Sequence, residues 1–209
     1  MYSRSRSILL ILVVALALLI FAVPAQAATV KVVKGNTQMN LDKNVVKNLV
    51  GQNVVVDDIS PATLTVNWTS GINWFFNVPI YTGSTGSTYN WGNKTGTLYH
   101  NGGIRFANVF VGPKQTRFQG LRVIATGPHT YTLSAAVGTA PAVRLNIATA
   151  TNTPTFSKSG RKCSIQGLQF RLTAGPLGGA QALKDQLGLA TLPSTTIVFF
   201  DTDLFFTLK

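Results

Sequence analysis

Asp57-Asp58 and Asp201-x-Asp203 are the two places where carboxylates stand close together in this chain, which contains no glutamate. General acid–base chemistry needs two such groups aimed at one reacting atom. Adjacent residues of a strand point to opposite faces, so Asp57 and Asp58 cannot form a working pair. Asp201 and Asp203 share a face if their strand continues, and exposed charges at a strand end account for them. Cys163 follows Arg161-Lys162, a neighbourhood that lowers a thiol pKa. No histidine lies near it in sequence, and burial in a strand is the expectation. His100 and His129 are far apart, and neither has a cysteine or glutamate at metal-ligand spacing. Each reads as a lone surface histidine. Gly-x-Ser-x-Gly and Walker patterns are absent from the sequence. These residues predict a protein without catalysis and without a metal site of its own.

Binding is better represented. All three tryptophans, Trp68, Trp74 and Trp91, fall in one short stretch with Phe75, Phe76, Tyr81 and Tyr89 among them. Exposed aromatic rings stack on sugar faces and on porphyrins. Phe75 and Phe76 read as core residues of a strand. Tyr89 and Trp91 lie in a Gly/Ser/Thr/Asn-rich loop and are the candidates for ligand stacking. The formal net charge is +12, which attracts anionic partners such as cell-wall polymers, lipid head groups, nucleic acid or anionic small molecules; cell-wall glycans are the first ligands to try on the aromatic loop. The basic residues are dispersed, with no stripe or run, and nucleic acid is not an expected partner.

The elements that must position these residues begin with an export signal. Arg4 and Arg6 precede an unbroken apolar run from Ile8 to Val23, and Pro24 and Ala25-Gln26-Ala27 supply a small-x-small exit. Charged start, apolar middle and small-residue exit form a secretory signal, here residues 1–27. The run is short for a membrane span, which needs about 20 apolar residues. The expected protein is secreted, extracellular or cell-wall associated, with no membrane span once the signal is removed. Residues 28–209 fit one domain, and a single cysteine rules out an internal disulfide, so packing must supply stability.

That domain is rich in Thr, Val, Asn and Gly, which favours strands and turns. Expected strands include 29–34, 53–58, 63–67, 74–80, 96–99, 104–111, 119–125, 130–136, 142–149, 164–172 and 196–200, with 206–208 closing the chain. Turn signals recur roughly every ten residues, the pattern of a sandwich or barrel. Two short helices interrupt it. Asp42 caps the first, Val45, Val46 and Leu49 form its apolar face, and Gly51 ends it. Pro176 suits the first turn of the second, Ala180, Leu183 and Leu187 share a face, and Gly188 terminates it. The expected fold is mainly β: an antiparallel β-sandwich-like domain with two short α-helices. Each helix lies between two strands, which suggests a duplicated strand–helix–strand unit.

Several motifs then combine. Met39-Asn-Leu-Asp42, Leu49, Val54-Val-Val56 and Pro61-Ala62 open the series. Phe76-Asn-Val-Pro-Ile80 with Gly83, and Gly96-Thr-Leu-Tyr-His-Asn-Gly-Gly-Ile-Arg-Phe106, follow. Leu121-Arg-Val123, Leu133–Val137, Val143–Ile147, Leu168–Leu172 and a helix ending Leu187-Gly188 come next. In this order they resemble the secreted actinobacterial HtaA-like domains, in a divergent form, over most of 28–209. The resemblance implies an extracytoplasmic sandwich-like fold with two short helices. It also implies haem binding, with a tyrosine as iron ligand and a histidine nearby. Tyr81 is the tyrosine it points to and His100 the histidine. Arg105, on the strand after the Gly-Gly turn, would meet a haem propionate, because a guanidinium fork matches a carboxylate. The sequence therefore supports a secreted, non-catalytic surface or wall-associated binding domain. The alternative is an extracellular haem-binding protein of iron acquisition.

Overall fold

A computed structural model of the chain describes residues 28–67, 73–110, 112, 114–138 and 142–209. The signal segment 1–27 and Trp68 lie outside the described residues. β1 (Val30–Leu41) leads into α1 (Lys43–Gly51), followed by β2 (Val54–Ile59), β3 (Thr63–Asn67) and β4 (Asn73–Pro79). Next come β5 (Thr88–Asn90), β6 (Thr95–Tyr99), β7 (Gly103–Asn108), β8 (Gln115–Gly127), β9 (Thr130–Val137) and β10 (Val143–Ala150). β11 (Thr155–Ser159), β12 (Lys162–Leu172), α2 (Gly179–Leu187) and β13 (Phe200–Leu208) follow.

Eight of these strands close on themselves in the order β1, β13, β12, β10, β9, β8, β6, β5 and back to β1, every pair antiparallel. The expected sandwich is thus corrected to a closed barrel. Both architectures need the same inward-apolar, outward-polar alternation, so alternation alone does not separate them. β13 displays it cleanly: Phe200, Thr202, Leu204, Phe206 and Leu208 are buried, while Asp201, Asp203, Phe205 and Thr207 face outward. Burying each inward phenylalanine contributes up to about 3 kcal/mol. Apolar side chains fill the ring and polar ones cover it, the reverse of a barrel that faces lipid. No helix among the described residues is long and apolar enough to cross a membrane.

Three long strands each serve two partners along one edge. β1 pairs with β5 at Val30–Lys31 and with β4 at Asn36–Asn40. β8 pairs with β7 up to Gln119 and with β6 from Arg122. β12 pairs with β11 up to Gln166 and with β10 from Arg171. A register shift falls between the two partner sets in all three, at Val32/Lys34, Gln119/Arg122 and Ile165/Leu168. Gly120 (φ 54) and Gly167 (φ 75) occupy the second and third of these, in the left-handed region that favours glycine. A bulge bends its strand and raises the local twist. Here it lets one strand leave an outlying arm and enter the ring. The arms are β4–β3 on β1, β7–β2 on β8, and β11 on β12.

Both helices stand where the sequence places them. The Asp42 side chain accepts from Asn44 N at 2.8 Å, and Val45, Val46 and Leu49 are buried. In α2, Gly188 (φ 62) ends the helix, and Pro176 lies just ahead of it rather than in its first turn. A side chain on Gly179 would collide with the carbonyl of Ile147, so that glycine lets α2 lie directly on β10. The suggested duplication is corrected by the pairing. The strands flanking α2, β12 and β13, pair with each other, whereas those flanking α1 do not, since β2 pairs only with β7. The expected strand at 196–200 is also corrected: this segment is irregular, and β13 begins at Phe200.

Candidate functional site

A broad concavity lies on the outer wall built by β11, β12, β13 and β1. Two cross-strand rows define it. Ser157, Ser164, Phe205 and Asn36 stand side by side, and so do Ser159, Lys162, Thr207 and Lys34. Together with Gly35, Cys163 and Phe206 they line an open trough of about 550 Å³. Neighbouring strands lie about 4.8 Å apart, so Lys34 and Lys162 flank Thr207 from its two sides. A Cβ on Gly35 would meet Phe205 O at 2.5 Å and the Phe206 Cβ at 2.8 Å, so bare backbone is required there. The result is an aromatic surface at Phe205, two ammonium groups, four hydroxyls and no carboxylate. Cys163 beneath it is 4 % exposed. Burial pushes its thiol up, and this outweighs Lys158 and Lys94, which pull it down. The cysteine is a wall residue, as the sequence reading expects.

His100 is not the surface histidine its turn suggests; it is 4 % exposed. Its Nδ1 lies 3.2 Å from the Leu121 carbonyl, which can only accept, so Nδ1 carries the proton. Nε2 then accepts from the Thr37 hydroxyl at 2.5 Å. Burial lowers its pKa to about 4, so the ring is neutral. His129 is exposed and bonds Thr153 at 3.0 Å. Among the described residues no group of three or more His, Cys, Asp or Glu could hold a metal ion.

Tyr81 follows an antiparallel bridge between Ile80 and His100. Its backbone N donates to Tyr99 O at 2.6 Å, and its carbonyl accepts from the Ser87 hydroxyl at 2.8 Å. The ring folds back over Gly83, where any side chain would collide with the phenol oxygen. Tyr89 corrects the stacking expectation: it is 1 % exposed, packs edge-on to Phe206 at 5.2 Å and offers no face to a ligand. Burial, and then Tyr131, hold its phenol far above the usual range. Trp91 is half-buried against Phe156 at 6.0 Å, and Lys94 Nζ lies over the Trp91 ring at 3.8 Å and donates to the Trp91 carbonyl at 2.6 Å. That face already carries a cation. Arg105 forms an ion pair with Asp57, the strand neighbour directly opposite.

No known protein family matches the chain, and no curated protein matches it. Among solved structures, the C-terminal domain of HtaA from Corynebacterium glutamicum superimposes with a TM-score of 0.53 at 16% sequence identity, over 84% of this chain and 99% of that one. The fold is HtaA-like. It is a divergent HtaA-like fold, and the likeness extends over nearly all of the described barrel.

Within the HtaA-like frame, the haem set implied by the sequence motifs does not assemble. Residues directly opposite in a ladder share a face, and the next residue along the strand points the other way. His100 therefore points inward with Ile80, and Tyr81 turns outward. An iron held by Tyr81 would have His100 on the far side of the sheet, with both ring nitrogens bonded to protein. Arg105 already has its carboxylate in Asp57. The three residues do not fit one haem as a set.

The trough itself escapes a linear reading, because its rows join residues from four strands. One signal was present. Phe205 is an aromatic ring on the polar side of β13, among Asp201, Asp203 and Thr207.

Proposed function

We propose that this HtaA-like domain is a secreted, non-catalytic binding module of the cell surface or wall, and that its trough takes a segment of an acidic glycan. The observation that carries this reading is the trough's composition: Phe205 as an aromatic surface, Lys34 and Lys162 as paired cations, and hydroxyls from Ser157, Ser159, Ser164 and Thr207, with no acid among them. Aromatic rings stack on sugar faces. Ammonium groups select carboxylate-bearing sugars, and hydroxyls exchange hydrogen bonds with ring substituents. The signal pattern at 1–27 and the net charge of +12 support the same assignment.

The test is calorimetric titration with a uronic-acid oligosaccharide and its neutral counterpart. The acidic oligosaccharide should bind at least tenfold more tightly, with an affinity that falls with salt. Lys34→Gln with Lys162→Gln should abolish that preference, and Phe205→Ala should weaken both ligands. Equal affinity for the two oligosaccharides, or unchanged binding in the variants, would remove the trough from consideration.

Haem is the competing ligand that the sequence motifs bring with them, and titration of the same protein with haem separates the readings. An acidic-glycan module gives no stoichiometric Soret band. A band that survives the lysine replacements and vanishes in Tyr81→Ala would transfer the function to Tyr81.

A further inference from the structure

The opposite wall of the barrel carries a second cationic arrangement, independent of the trough. β8 lies four strands from β13 around the ring in either direction. On its outer face Arg122 stands directly opposite Tyr99 of β6 on one side and Ser134 of β9 on the other. Its guanidinium lies over the Tyr99 ring at 4.9 Å. Arg144 of β10 reaches across β9 toward the same spot. Its Nη1 donates to Ser134 Oγ at 3.2 Å and to the carbonyl of the bulge residue Gly120 at 3.1 Å. The two guanidinium groups are thus brought over adjacent positions of one sheet face, each fixed by its own support.

Among the described residues the one ion pair is Arg105 with Asp57, so neither Arg122 nor Arg144 has a carboxylate partner. Burial, followed by the charge of Arg122, lowers the Arg144 pKa, and Tyr99 partly opposes this. Two like charges held together in this way raise the free energy of the empty face, and an anion placed between them lowers it. Arg144 keeps Nε and Nη2 free of the contacts that anchor it. A carboxylate is satisfied by one guanidinium fork, whereas a tetrahedral phosphate presents enough oxygens for two forks.

We infer that Arg122 and Arg144, the latter anchored on the buried Ser134 hydroxyl, form a site for a phosphate group. The phosphate is either free in solution or part of a lipid headgroup, and the same chemistry recognises both.

The experiment titrates the purified protein with inorganic pyrophosphate by calorimetry and, in parallel, sediments it with phosphatidylglycerol or phosphatidylcholine vesicles. Pyrophosphate should bind the unmodified protein at least tenfold more tightly than Arg122→Gln/Arg144→Gln, while Lys34→Gln/Lys162→Gln retains the unmodified affinity. Because Arg144 also braces Gly120, Arg122→Gln alone is the second variant; it leaves that brace intact and should lose most of the binding. Arg122→Lys/Arg144→Lys should bind weakly, since the charge is kept and the forks are lost. Sedimentation with phosphatidylglycerol only, abolished by the arginine replacements, places the phosphate on a lipid. Pyrophosphate binding without sedimentation places it in solution. No binding to either probe, or equal binding in the arginine variants, overturns the site. Loss of pyrophosphate binding in the lysine variant would also overturn it, by moving the anion to the trough and leaving the glycan reading to its own titration.

Discussion

At the scale of single residues, His100 makes the acid response of the fold calculable. Its folded-state pKa, about 4, lies below the 6.5 of the free side chain. Between those values the unfolded chain takes up a proton that the folded chain refuses. The stability from a neutral His100 is therefore fully present above about pH 6.5 and is lost as pH falls toward 4, by up to about 3 kcal/mol. Urea unfolding of the unmodified protein at pH 7 and pH 4.5 should show this loss. His100→Gln, less stable at pH 7, should show a shallower dependence on pH; identical slopes would assign the acid sensitivity elsewhere. The sequence places His100 beside an Asn-Gly-Gly turn, which reads as surface. Its burial depends on Thr37, supplied by a strand far away in the chain. Tyr89 is misplaced for a similar reason: its Gly- and Ser-rich neighbourhood looks exposed, while Phe206 from the last strand covers it. Local composition reports the turn and is blind to what crosses it.

At the scale of elements, the bulge glycines carry a cost that can be measured. A Cβ at Gly167 would meet nothing within 4 Å, so substitution there tests the backbone alone. Gly167→Ala should destabilise by about 1–2 kcal/mol, the cost of a left-handed alanine, with Gly167→Asn milder because asparagine tolerates that region better. Thermal melting of the two variants checks the order. Side chains also satisfy the bulge backbone: Gly167 N donates to Asp203 at 2.8 Å, and its carbonyl accepts from Asn152 at 2.7 Å. This gives Asp203 a structural task at the bulge. Helix α1 was legible from its cap and apolar spacing, and β3 from its flanking turns. β5 was not, since three residues of a polar loop carry no period. Nor was β11, where Phe156 is the sole inward apolar residue of an exposed strand.

At the scale of the whole molecule, the mainly β class was legible and the closure was not. Closure rests on β13, which is hydrogen-bonded to β1 along one edge and β12 along the other. Removing residues 200–209 would open the ring and expose the inward faces of both neighbours. Such a truncated chain should show no cooperative melting transition, whereas removal of Lys209 alone should leave the transition close to that of the intact protein. Scanning calorimetry distinguishes the two. The same seam sets the order of events while the chain is being made. β1 is the first described strand to emerge and β13 the last, yet Val32 must find Leu208 and Leu41 must find Phe200. Contacts this distant in sequence fold slowly. Until β13 is free, the ring cannot seal, and the edges of β1 and β12 that it joins stay apart. The barrel is in this sense a clasp, shut by the strand made last among those described.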